Sequence, residues 1–96
     1  MNPILVQTIS DYFRDKKINK AFLFGSFAKG LEKDTSDIDI LVELSESIGF
    51  MKLIQYKLDL EDQLHRNVDL VTPASISPLI FPLIQKDWKL IYERKR

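Results

Sequence analysis

The chain has 96 residues, 14 Lys plus Arg against 14 Asp plus Glu, one His, no Cys and 45% hydrophobic residues, which predicts one small domain spanning the whole chain with a core that needs no covalent staples. The lack of Cys excludes disulfides and Cys-ligated zinc or iron–sulfur centres, and one His leaves no imidazole cluster, so catalysis or metal binding has to rest on carboxylates. Zero net charge argues against direct nucleic-acid binding, and the absence of a ~20-residue apolar run or a leader pattern argues against a membrane and makes the cytoplasm the expected address.

Asn2 is a helix cap and Pro3 a first helical residue. Behind them Leu5, Ile9, Tyr12 and Phe13 recur at helical spacing, which predicts a first helix ending near Lys17. Lys20 to Phe24 is a short apolar run stopped by Gly25 and suits a buried strand, while Ser26 to Gly30 suits the opening turn of a short helix. From Asp37 the residues alternate, with Ile38, Ile40, Val42 and Leu44 on one face of a second strand and Asp37, Asp39, Leu41 and Glu43 on the other. Phe50, Leu53, Ile54, Leu58, Leu60 and Leu64 form a broad stripe that predicts a long helix from about Phe50 to His65, packed on the sheet. Val68 to Val71 reads as a third strand stopped by Thr72-Pro73. Pro78 and Pro82 make the helical stretch around Ser77 to Lys86 short or kinked, and Lys89 to Tyr92 closes the chain as an edge strand. Trp88, Phe81, Leu83 and Ile84 are expected in the core. This order predicts an α/β or α+β domain with a small mixed β-sheet flanked by helices.

The charge is unevenly placed. Glu32, Asp34, Asp37, Asp39, Glu43 and Glu46 face a single base, Lys33, in the middle of the chain, whereas Lys86, Lys89, Arg94, Lys95 and Arg96 make the end basic. An acidic centre attracts cations, and its excess charge is suited to steer a basic partner. Gly25-Ser26 at a strand end brings backbone close to a phosphate and offers a hydroxyl. Asp37 and Asp39, on one face of a strand, supply hard oxygen donors for Mg²⁺ bridging a nucleotide's phosphates. Asp69, flanked by Val68 and Leu70, faces the same cleft if the third strand lies beside the second. Each feature alone has a plain structural reading as a turn or a solvated strand end. Together they make a two-metal phosphoryl-transfer site. His65 suits a helix C-terminus, and Arg66 is within reach of a phosphate but reads more simply as a solvated loop arginine.

Gly25-Ser26-Phe27-Ala28-Lys29-Gly30, Ser36-Asp37-Ile38-Asp39-Ile40-Leu41-Val42 and Val68-Asp69-Leu70-Val71 resemble the minimal nucleotidyltransferases of the DNA polymerase beta superfamily. Within it the chain is most similar to the MNT antitoxins that accompany HEPN-domain ribonuclease toxins. The resemblance implies the nucleotidyltransferase fold and transfer of AMP from ATP, with Mg²⁺, onto a tyrosine hydroxyl of the partner toxin. It places the triphosphate on Gly25, Ser26 and Lys29, both metals on Asp37 and Asp39, and the metal that activates the hydroxyl on Asp69. Lys29 stands where the family more often has Arg, which keeps the charge but loses the bidentate fork. Two alternatives remain at this stage: an antitoxin that masks its toxin by contact alone, and transfer to a small-molecule hydroxyl. An intact acidic triad favours chemistry, because a purely binding module gains nothing from concentrating repelling charges.

Overall fold

A computed structural model describes residues 2–33 and 35–95. The elements are α1 (Pro3–Phe13), β1 (Ile18–Phe24), α2 (Gly25–Lys29), β2 (Ile38–Leu44), α3 (Phe50–Leu64), β3 (Val68–Val71), a 3₁₀ turn at Pro73–Ser75, α4 (Phe81–Asp87) and β4 (Lys89–Glu93). The strands form one mixed sheet in the order β3-β2-β1-β4. β1 runs antiparallel to β2 and β4, whereas β2 and β3 are parallel. A parallel pair needs a crossover that returns the chain to the same end of the sheet, and α3 provides it. This is the expected α+β arrangement. No helix among the described residues is long and apolar enough to cross a membrane.

The Asn2 side chain accepts the N–H groups of Ile4 at 2.9 Å and Leu5 at 3.3 Å, so α1 starts as its sequence requires. It ends at Phe13, short of the expected Lys17. The reason lies in the sheet: Ile18 is fully buried and pairs with Leu44, which draws the chain into β1 two residues before the apolar run begins. On one face of the sheet Leu5, Ile9 and Phe13 of α1 and Tyr56 and Leu60 of α3 meet Ala21, Leu23, Ile38, Ile40, Val42, Val68 and Leu70. Each fully buried large side chain there contributes about 1.5–3 kcal/mol. The Tyr12 hydroxyl donates to Asp59 Oδ2 at 2.5 Å and ties α1 to α3. Burial and that carboxylate push the phenol far above its ordinary range.

Two core assignments need correction. In α3 the inward residues are Tyr56 and Leu60, backed by Leu53 and Leu64, whereas Phe50 and Leu58 are exposed. At 3.6 residues per turn Leu58 lies about 160° round the helix from Leu60, so a stripe wide enough to include both runs over onto the solvent side. Tyr56 lies just beyond Leu60 at the edge of that stripe, so the buried face is centred on Leu60. In α4 no side chain is fully buried, and Leu83 is 64% exposed. Trp88 stacks on Phe22 at 4.0 Å between ring centroids and meets Phe81 edge-on, on the sheet face away from α1 and α3. Pro82 sits in the first turn of α4, where its missing N–H does no harm, and Pro78 lies outside the helix.

Replacing Leu60 by Ala should cost about 2–5 kcal/mol by urea unfolding, while Leu58→Ala should stay within about 0.5 kcal/mol of the parent. Equal losses at the two positions would contradict the face assigned to α3.

Candidate active site

Three strand ends meet at one end of the sheet. The parallel register sets Asp39 of β2 opposite Asp69 of β3, and the antiparallel register sets Phe24, the last residue of β1, opposite Asp39. Gly25 follows with φ +70°, a conformation that glycine adopts without strain. A Cβ built on Gly25 would overlap the Asp39 carboxylate and come within 3.2 Å of its Cγ. The carboxylate therefore lies over the bare glycine backbone, and any side chain at Gly25 displaces it. Ser26 comes next in the first turn of α2, which has no side-chain N-cap. Gly30, at φ +71°, closes the helix as the Leu31 N–H returns to the Ser26 carbonyl at 2.9 Å.

The electrostatics follow from this geometry. Burial, then the Asp69 carboxylate, then that of Asp37 raise the Asp39 pKa above its ordinary value of 3.8. None of the ion pairs among the described residues involves Asp37, Asp39 or Asp69. Among the described residues no group of three or more His, Cys, Asp or Glu side chains is placed to hold a metal ion by itself. Spread, mutually repelling carboxylates at an open strand end instead suit a hard divalent cation such as Mg²⁺, which is usually held by one or two carboxylates together with substrate phosphates. The donor set fits.

Of the six residues expected at the site, the structure brings together Gly25, Ser26, Asp37, Asp39 and Asp69. Lys29 lies at the far end of α2, its ammonium 3.9 Å from Asp87 of α4. The rest of the acidic segment disperses: Glu46 pairs with Lys17 at the opposite end of β2, and Glu43 is exposed there. Glu32 turns one carboxylate oxygen inward, without a hydrogen-bond partner among the described residues. Asp34 and Arg96 lie outside the described residues.

Glu61 and Arg66 play parts at the site that sequence reasoning missed. Glu61 accepts the Val68 N–H and the Lys57 ammonium, both at 2.9 Å, and the first of these holds its carboxyl below the usual range. Arg66 is no solvated loop arginine, because its Nη1 donates to the carbonyls of Lys33 and Ser36. These arginine contacts join residues about thirty positions apart, so no local pattern announces them.

Because the folded pKa of Asp39 exceeds the unfolded one, its charge destabilises the fold at neutral pH. The penalty is complete above the folded pKa and absent below the unfolded value of 3.8. Asp39→Asn should therefore melt at a higher temperature than the parent near pH 7, with the gap closing towards about pH 3. Melting curves across that range check it; a gap that does not narrow with acid would mean that charge is not its source.

The family model described as polymerase beta nucleotidyltransferase matches residues 7–96. The chain is 44% identical over 63 residues to protein MJ0435 of Methanocaldococcus jannaschii, covering 66% of this chain and 68% of that one. It is 41% identical over 54 residues to the protein adenylyltransferase MntA of Thermococcus cleftensis, covering 56% of this chain and 54% of that protein. Its fold matches a chain from the complex of tri-AMPylated Shewanella oneidensis HEPN toxin with MNT antitoxin at a TM-score of 0.77, with 24% identity and coverage of 97% and 73%. With a strand-end glycine and serine beside paired carboxylates, and a family match over nearly its full length, the chain belongs to the polymerase beta nucleotidyltransferase family.

Proposed function

We propose that the chain is an antitoxin that transfers AMP from ATP to a tyrosine hydroxyl of a HEPN-domain toxin in the cytoplasm and so silences it. The observation that carries this reading is the pairing of Asp39 with Asp69 beside the bare backbone of Gly25. The adenylyltransferase name of the Thermococcus relative supports AMP as the transferred group. The tri-AMPylated HEPN toxin in the structurally similar complex supports the acceptor.

In this reading Gly25 and Ser26 seat the triphosphate and Lys29 adds positive charge from the end of α2. Asp37, Asp39 and Asp69 would hold two Mg²⁺ ions, which would neutralise phosphate charge and favour the ionised form of the acceptor hydroxyl. The acceptor hydroxyl releases its proton to water, its oxygen bonds to the α-phosphorus, the bond from that phosphorus to the bridging oxygen breaks, and pyrophosphate leaves. The residues of the chain contribute position: in-line attack requires triphosphate and acceptor to be held in register, and an error of about 1 Å can cost about a hundredfold in rate.

Exposure of the cluster favours a protein acceptor over a small molecule. Asp37 and Asp69 are exposed, and Asp39 is only partly buried. A groove of about 600 Å³ lies elsewhere, between α1 and β4, and the hollow of about 360 Å³ that Asp37 lines with Ser36, Glu61 and Arg66 is shallow and open to solvent. A small acceptor needs walls to orient it, whereas a folded protein brings its hydroxyl on a rigid surface.

Incubating the chain with ATP, Mg²⁺ and the HEPN-domain protein encoded beside it should raise the partner's intact mass by one or more AMP units at tyrosine. Asp39→Asn should abolish the increase. Gly25→Ala should slow it about a hundredfold, because the added Cβ displaces the Asp39 carboxylate. An unchanged mass with the toxin still silenced would establish masking by contact instead.

A further inference from the structure

The turn between α3 and β3 reaches across to the segment that leads into β2. His65 ends α3 in the left-handed region at φ 54°, an uncommon conformation for a residue other than glycine. The turn directs Arg66 and Asn67 towards the two peptide groups that flank Asp37. On one side, Arg66 Nη1 donates to the Ser36 carbonyl at 3.1 Å and to the Lys33 carbonyl at 3.1 Å. On the other, the Asn67 carbonyl accepts the Ile38 N–H at 3.0 Å. Lys33 and Ser36 are also bonded to each other, with Lys33 N–H on Ser36 Oγ at 2.8 Å and Ser36 N–H on the Lys33 carbonyl at 3.0 Å. The guanidinium also sits 5.3 Å from the ring centroid of Phe27, a buried side chain of α2. Glu61 anchors the far side of the turn through the Val68 N–H.

We propose that Arg66 is a positioning residue of the transfer site, clamping the peptide that carries Asp37 and, through Phe27, the helix that carries Ser26. The inference rests on the proposed function in taking the carboxylate cluster as the place of transfer. In this role Arg66 acts through the peptide of Asp37 and not by binding nucleotide or acceptor. Its two carbonyl bonds fix where β2 begins, and with it the separation of Asp37 from Asp39 and Asp69. Arginine suits this task because its charge is permanent and its planar donors reach two carbonyls while its face lies over an aromatic ring. Lysine supplies a point charge that can bond a carbonyl or sit over a ring, but it lacks the planar fork that does both at once.

The test uses the full chain with Arg66→Ala and Arg66→Lys. Amide exchange, followed by NMR without nucleotide or metal, should quicken about tenfold or more at Ile38 in Arg66→Ala, where opening of the strand end becomes easier, while Ile9 in the core stays protected. In AMP transfer to the HEPN-domain partner, kcat should fall about tenfold or more with KM for ATP changed less than about threefold, and Arg66→Lys should recover part of kcat. A raised KM with kcat unchanged would make Arg66 a nucleotide ligand and overturn the proposal. Unchanged exchange at Ile38 would overturn it as well. If the wild-type chain transfers no AMP to the partner, the functional reading fails by itself, and the exchange result still decides whether Arg66 holds Asp37.

Discussion

The pairing of β2 with β3 places two carboxylates side by side on neighbouring strands, whose backbones lie about 4.8 Å apart in a regular sheet, and much of the molecule is organised round that unfavourable contact. On the other face of the same strands Ile38 pairs with Val68 and Ile40 with Leu70, all four buried. A slip of one residue would turn these side chains outward and drive Asp39 into the core. The apolar face therefore sets the register, and the register brings Asp39 to Asp69. Burial of apolar surface a few ångströms away offsets the repulsion between the carboxylates.

The remaining elements serve this strand end. α3 returns the chain to the same end of the sheet so that β3 can run parallel to β2, and the left-handed turn at His65 converts its exit into a clamp on the segment before Asp37. β1 delivers Gly25 where the carboxylate needs an empty α-carbon. The edges of the sheet are managed separately. β3 is only four residues long, and β4 carries an irregularity opposite Ala21–Phe22 together with Lys89 and Glu93. Short, bulged and charged edges resist pairing with other chains.

The order of helices and strands was legible because period-two and period-3.6 patterns separate cleanly in Ile38–Leu44 and in α1. The shared face of Asp39 and Asp69 and the Gly25-Ser26 turn were legible for the same reason: a strand's alternation states which residues share a face, and glycine marks a backbone that must stay bare; Asp37, expected inside the strand, instead precedes β2, which begins at Ile38. Where residues balance several environments the pattern misled. Leu58 is apolar yet solvent-facing, and Trp88 finds its aromatic partner on the thinly covered face of the sheet rather than in the core.

The sequence by itself determined where the carboxylates and the strand-end glycine stand and which strand faces carry them, since composition and periodicity are local properties. Only the tertiary structure decided that β3 lies parallel to β2 with Asp69 opposite Asp39, that Lys29 leans towards Asp87, and that Arg66 holds the approach to Asp37. Each of these depends on contacts between distant segments, whose geometry follows from how the whole core closes and leaves no trace in local spacing.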